Sequence, residues 1–169
     1  MPYEPWQPGL RITANRLLSI SPTWSDWTPV WTTSTGNNTP SFGNAVITAR
    51  WAQSATTVFY ALNVQFGTTT NFGAAPGGGD NWRISLPVTA SATSLIAGWG
   101  EITDSSVGSG SRMAVRVRLS TTTVMEYEMA SSRIDGAAIS GLGIIDSVSP
   151  WTWASGDTLR VWGQYEAAA

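Results

Sequence analysis

The sequence predicts an all-β domain: an antiparallel β-sandwich, jelly-roll-like, of about eight or nine strands behind a short N-terminal arm. Three observations lead there. Apolar residues recur with a period of two from Trp27 to the C-terminus, the mark of strands that bury one face. Charged residues make up only 12% of the chain, and its polarity comes mainly from Thr, Ser, Asn and Gly, as on a β surface. No helical periodicity separates the strands, so the crossover helices of a parallel sheet have no place. At 169 residues the chain suits one well-buried domain.

Residues 1–23 are expected to form an attachment arm and residues 24–169 the sandwich. The arm carries four prolines, and its one short helical pattern, TANRLLSI, starts at a capping residue, Thr13. Trp6, Pro8, Leu10, Leu17 and Leu18 are its docking candidates. In the first strand, WTPVWTT, Trp27, Pro29 and Trp31 fall on one side. In the second, Ala45, Ile47, Ala49 and Trp51 alternate against Val46, Thr48 and Arg50. The longest apolar stripe is Val58, Tyr60, Leu62, Val64 and Phe66, which marks a central strand. Trp82, Ile84, Leu86 and Val88 repeat the device, and SLIAGWGEIT continues it with Gly98 and Gly100 at a bulge or a close approach.

The clearest hairpin joins SRMAVRVRLS to VMEYEMA. A three-residue loop at Thr121–Thr123 pairs Arg118 with Glu126, Arg116 with Glu128 and Val117 with Tyr127, whereas a two-residue turn would set charge opposite apolar side chains. Read as exposed ion pairs worth about 0.2–1 kcal/mol each, this ladder sets register more than it stabilises. RIDG makes a turn, SPWTWASGD follows a short apolar stretch, and TLRVWGQYE closes the chain as a last alternating strand.

Composition excludes several chemistries. The chain has no Cys, His or Lys, which removes thiolate and imidazole metal ligands, His-based triads and Schiff-base chemistry. Its nine basic residues, all Arg, are scattered among eleven acidic ones, so no basic stripe exists to grip a phosphate backbone and nucleic acid is not an expected partner. No stretch approaches the roughly 18 apolar residues of a membrane span, and the N-terminus lacks the basic and apolar regions of a signal peptide, so synthesis in the cytoplasm without membrane insertion is expected. No cofactor pattern is present: GAAPGGGD lacks the Lys and the helix start that make a phosphate loop work.

Ten tryptophans are many for this length. Trp27, Trp51, Trp82 and Trp99, in or nearly in phase with apolar faces, read as packing residues. Trp24, Trp31, Trp151, Trp153 and Trp162 read as candidates for contacts between protomers, because aromatics are enriched at interfaces. A sugar platform would require solvent-facing rings. A glycosidase would require paired carboxylates, and the candidates Asp80, Glu101, Asp104, Asp135, Asp146 and Asp157 sit in no motif, several at turn-forming positions. No enzymatic activity is expected.

Several segments in order, WTPVWTTSTGNNTPSFGNAVITARWAQ, VQFGTTTNFG, NWRISLPVTA, SPWTWASGD and GQYEAAA, together with PWQPGLRITANRL in the arm, carry a resemblance that covers nearly the whole chain. It resembles a β-rich domain of minor tail proteins and other surface proteins of bacteriophages that infect actinobacteria. The resemblance implies a homotrimeric structural protein on the virion surface, whose arm docks on a tail or major capsid protein. The long loops 67–81 and 103–111 then become candidate contacts with host cell-wall glycans, through Thr69, Asn71, Phe72, Asp80, Asp104 and Ser106. Two alternatives stay open: a capsid decoration protein that clamps the lattice through its arm, and, more weakly supported, a polysaccharide depolymerase.

Overall fold

A computed structural model describes residues 9, 11, 13–14, 21–73, 80–107, 112–130 and 143–168. Nine strands lie in a single antiparallel sheet: β1 (Ser25–Asp26), β2 (Trp31–Thr33), β3 (Val46–Ser54), β4 (Thr57–Gln65), β5 (Trp82–Ser85), β6 (Ile96–Thr103), β7 (Arg112–Leu119), β8 (Val124–Met129) and β9 (Thr158–Glu166). Their order is β1-β3-β4-β9-β6-β7-β8-β5-β2. Helix among the described residues is confined to a single 3-10 turn, Ser105–Val107, and to Ala14. The expectation of an all-β, antiparallel domain is met at that level.

One segment touches both ends of this order. β1 pairs with β3, and a few residues later β2 pairs with β5. Between them the Trp27 N–H donates to the Ala49 carbonyl at 3.0 Å, and the Ser85 N–H donates to the Val30 carbonyl at 2.9 Å. Pro29, which has no N–H to give, sits buried at the switch between the two partners. One short segment thereby supplies both end strands of the sheet, which curls around a single core, and both edge strands are very short.

The alternating stripes define that core. Val58, Tyr60, Leu62, Val64 and Phe66 are all at most 2% exposed, and β4 pairs on both sides, as a central strand does. Trp82 and Ile84 of β5 and Val115, Val117 and Leu119 of β7 face them. In the β7–β8 hairpin Arg116 lies opposite Glu128, Val117 opposite Tyr127 and Arg118 opposite Glu126. That register centres the turn on the Thr121–Thr123 stretch, where the Thr121 hydroxyl accepts from the Thr123 and Val124 N–H groups.

β6 departs from simple alternation. Its register against β7 slips between Ile96 and Gly98, so Ala97 and Gly98 both end up buried. A one-residue slip turns every following side chain to the other face. Trp99, expected in the core, therefore points outward and is 54% exposed, while Ile102 is fully buried. Gly98 and Gly163 keep β6 and β9 in close contact: a Cβ on Gly98 would meet the Trp162 carbonyl and the Tyr60 hydroxyl. Tyr60, opposite Gly163, spans this gap and donates to the Ala97 carbonyl at 3.2 Å. Burial pushes its phenol far above the ordinary tyrosine range, with Tyr165 adding to the shift.

Candidate functional site: an outward tryptophan row

Strand pairing places seven residues in one row across the convex face: Asp26, Arg50, Ala61, Trp162, Trp99, Arg116 and Glu128. Trp162 and Trp99 are direct partners on neighbouring central strands and are 60% and 54% exposed. Trp24, at the β1 end, is 43% exposed, and its carbonyl accepts from the Arg50 guanidinium at 3.3 Å. Ala61 is the only small side chain between Arg50 and Trp162 in the row, and the shortfall leaves an open groove of about 510 Å³ walled by Trp24 and Trp162.

The adjacent parallel row is polar: Thr48, Asn63, Arg160 and Glu101. Arg160 Nε donates to Asn63 Oδ1 at 3.3 Å, and its guanidinium approaches Glu101 at 3.8 Å. Arg50 meets Asp26 at 3.3 Å. Exposed pairs of this kind add little stability, but they orient the guanidinium planes and neutralise the face. The face therefore combines flat apolar rings with amide, hydroxyl and guanidinium groups, held by strands rather than loops.

The other sequence-predicted residues fall elsewhere. The arm candidates Trp6, Pro8, Leu10, Leu17 and Leu18 lie outside the described residues. Of the proposed interface tryptophans only Trp24 and Trp162 are exposed. Trp31 and Trp153 belong to the core, because they converge on Phe66 with ring centroids 5.6 and 5.5 Å away and on Trp82 at 4.7 and 4.8 Å. Trp151 is half-buried and packs on Trp153 at 5.0 Å. Neighbouring residues left their phase ambiguous, and only the meeting of distant segments over Phe66 resolves it.

The candidate contact loops are largely built into the fold. Thr69 and Asn44 bond each other through backbone and side chain, and Asn71 bridges to Ser41 while its side-chain oxygen accepts from the Gly73 N–H. Phe72 stacks on Trp82, whose indole N–H donates to the Phe72 carbonyl at 3.2 Å. Asp80 is buried and accepts from the Thr35 hydroxyl at 2.6 Å and the Thr35 N–H at 3.1 Å. The Thr35 hydroxyl leads the contacts that hold its carboxyl below the usual carboxylate range, against the opposing effect of desolvation. Asp104, also buried, caps Ser106 through the Ser106 N–H at 2.8 Å, and of the six candidates Thr69, Asn71 and Ser106 are exposed.

The Arg–Glu ladder also differs from an exposed pair of pairs. Glu126 and Glu128 are buried, at 7% and 1% exposure. Glu126 bonds Arg83 of β5 at 2.6 Å, because β5 lies on its other side; Glu128 takes both Arg116 at 2.6 Å and Arg118 at 3.3 Å. A two-strand reading could not supply the third strand.

The remaining carboxylates act as loop clamps. Asp157, fully buried, accepts from the Ser105 and Ala154 N–H groups at 2.8 Å each. Asp146 accepts from Val148 at 2.8 Å and Ser149 at 2.7 Å. Asp135 lies outside the described residues. Among the described residues no group of three His, Cys, Asp or Glu side chains is arranged to hold a metal, and no helix is long and apolar enough to cross a membrane.

No family model, curated protein or solved structure matches this chain.

Proposed function

We propose that this protein is a bacteriophage virion surface protein of the minor tail or fibre type, homotrimeric, whose jelly-roll-like domain displays a glycan-contacting face while residues 1–23 attach it to the particle. The segments of sequence that resemble phage surface proteins support the setting. The observation that carries the binding role is the Trp162–Trp99 pair, two large rings more than half exposed at the centre of a sheet whose other face is fully packed. Exposed aromatic pairs on a rigid scaffold are a recognition feature rather than a packing one. The carboxylates Asp80, Asp104, Asp146 and Asp157, each engaged by backbone N–H groups, leave the depolymerase reading without support of this kind. Contacts with host glycans are accordingly assigned to the sheet face rather than to the loops.

Labelling this chain in purified particles tests the setting. Signal at the tail is expected; signal spread over the capsid would replace the tail assignment with capsid decoration, and absence from particles would end both. Light scattering of the full chain should give three times the protomer mass, and a monomer at micromolar concentration would overturn the trimer.

A further inference from the structure

The row of rings suggests more than general adhesion. We infer that Trp24, Trp162 and Trp99 form successive stacking positions for a neutral, linear polysaccharide that lies across the strands. The inference rests on the reading of this face as a binding surface, and it deepens that reading by naming the ligand class and its direction.

Geometry sets the direction. Trp162 and Trp99 are direct cross-strand partners, and Trp24, which immediately precedes β1, lies on the same face two residues along from their row, so the three cover four strand spacings, or roughly 19 Å at about 4.8 Å each. That span suits a short run of sugar rings and is too long for one. Pyranose rings present flat C–H faces, which match the open faces of indoles, and edge hydroxyls, which need donors and acceptors alongside. Asn63 and Thr48 supply these beside the groove, with Arg50 and Arg160 as further donors.

Charge selects the class. Arg50 faces Asp26, Arg160 faces Glu101, and Arg116 faces Glu128. Each of these guanidiniums already meets a carboxylate, Glu128 being shared with Arg118, so an anionic polymer would have to displace internal pairs, whereas a neutral one would not. The same polar row argues against a second copy of this chain as occupant. The buried centre of an interface between copies is more apolar and poorer in charge than a surface carrying Arg50, Asp26, Arg160 and Glu101 beside the rings.

Rigidity supports it further. Trp99 and Trp162 are each flanked by glycines, Gly98, Gly100 and Gly163, that lock β6 against β9, so the rings are mounted on backbone with little freedom to shift.

Affinity electrophoresis of the full chain is the test, in gels containing hydroxyethyl-cellulose, galactan or mannan as neutral probes and carboxymethyl-cellulose as the anionic one. Retardation is expected in at least one neutral gel, weakened roughly tenfold or more by Trp162→Ala and by Trp99→Ala without loss of the fold. No retardation in any gel, retardation in the anionic gel alone, or variants that migrate as the parent would each overturn the inference. So would a change in oligomeric mass on Trp162→Ala, which would make the face a contact between copies. Particle labelling reads the setting separately: tail signal without glycan retardation leaves the virion assignment standing and removes this inference alone.

Discussion

Two groups of tryptophans on one sheet have opposite fates. Trp31, Trp82 and Trp153 gather with Phe66 and Phe72 in a cluster of ring contacts between 4.7 and 6.3 Å and are at most 5% exposed. Trp24, Trp99 and Trp162 stand on the other face, 43% to 60% exposed. The chemistry of the side chain is the same, so the face to which the backbone turns it decides whether it stabilises or recognises. For Trp162 that face follows from plain alternation with Val161; for Trp99 it follows from a bulge.

Breaking the inner group should have the largest effect. Trp82→Ala removes a fully buried ring and the indole bond to Phe72, and should cost about 3–5 kcal/mol, read as a lower denaturant midpoint. Next comes the seam beneath the outer row. Gly163→Ala drives a methyl into the Ala97 carbonyl and the Gly98 backbone and should cost up to about 3 kcal/mol, with the melting temperature as its measure. Glu128→Gln leaves Arg116 and Arg118 without their shared carboxylate. Both arginines are partly solvated, so about 2 kcal/mol is expected, less than for a fully buried pair.

A pH series probes the inside of the same sheet. Burial holds the Tyr60 and Tyr127 phenols well above the ordinary range, and burial, partly offset by the Val88 backbone bond, pushes Tyr165 up to about 12. These groups stabilise the fold fully below the unfolded phenol pKa of about 10, and that contribution is lost as pH rises above it. Ultraviolet titration of a Tyr3→Phe variant, which leaves only these three tyrosines, should show all three ionising late and together with alkaline unfolding; ionisation near pH 10 in that folded variant would contradict their burial. The smallest effect on stability belongs to the outer row. Trp162→Ala should change it by no more than about 0.5 kcal/mol, so a large loss would place that ring in the core group after all.

Periodicity told most of the fold because it is a local property. The stripes at Val58–Phe66 and Trp82–Leu86 needed only the alternation of successive side chains, and the three-threonine loop was enough to define the β7–β8 register. Local reasoning failed where a second or third partner decided the outcome. Glu126 finds Arg83 only because β5 lies beside β8, and Trp31 and Trp153 are buried only because segments far apart in sequence meet over Phe66. Asp80 and Asp104 looked like loop-tip residues, yet both carboxylates satisfy backbone donors of the segments they clamp.

The candidate site divides in the same way. By itself the sequence determined an antiparallel all-β chain rich in tryptophan and poor in catalytic side chains, since composition and a period of two need no knowledge of neighbours. Only the tertiary structure decided which tryptophans face water. Strand order sets Trp162 beside Trp99 in one row, with Trp24 on the same face two residues along from that row, and the slip at Ala97 turns Trp99 outward to join them. Pairing between distant strands, and one extra residue in a strand, are long-range and geometric facts that no local pattern of side chains encodes.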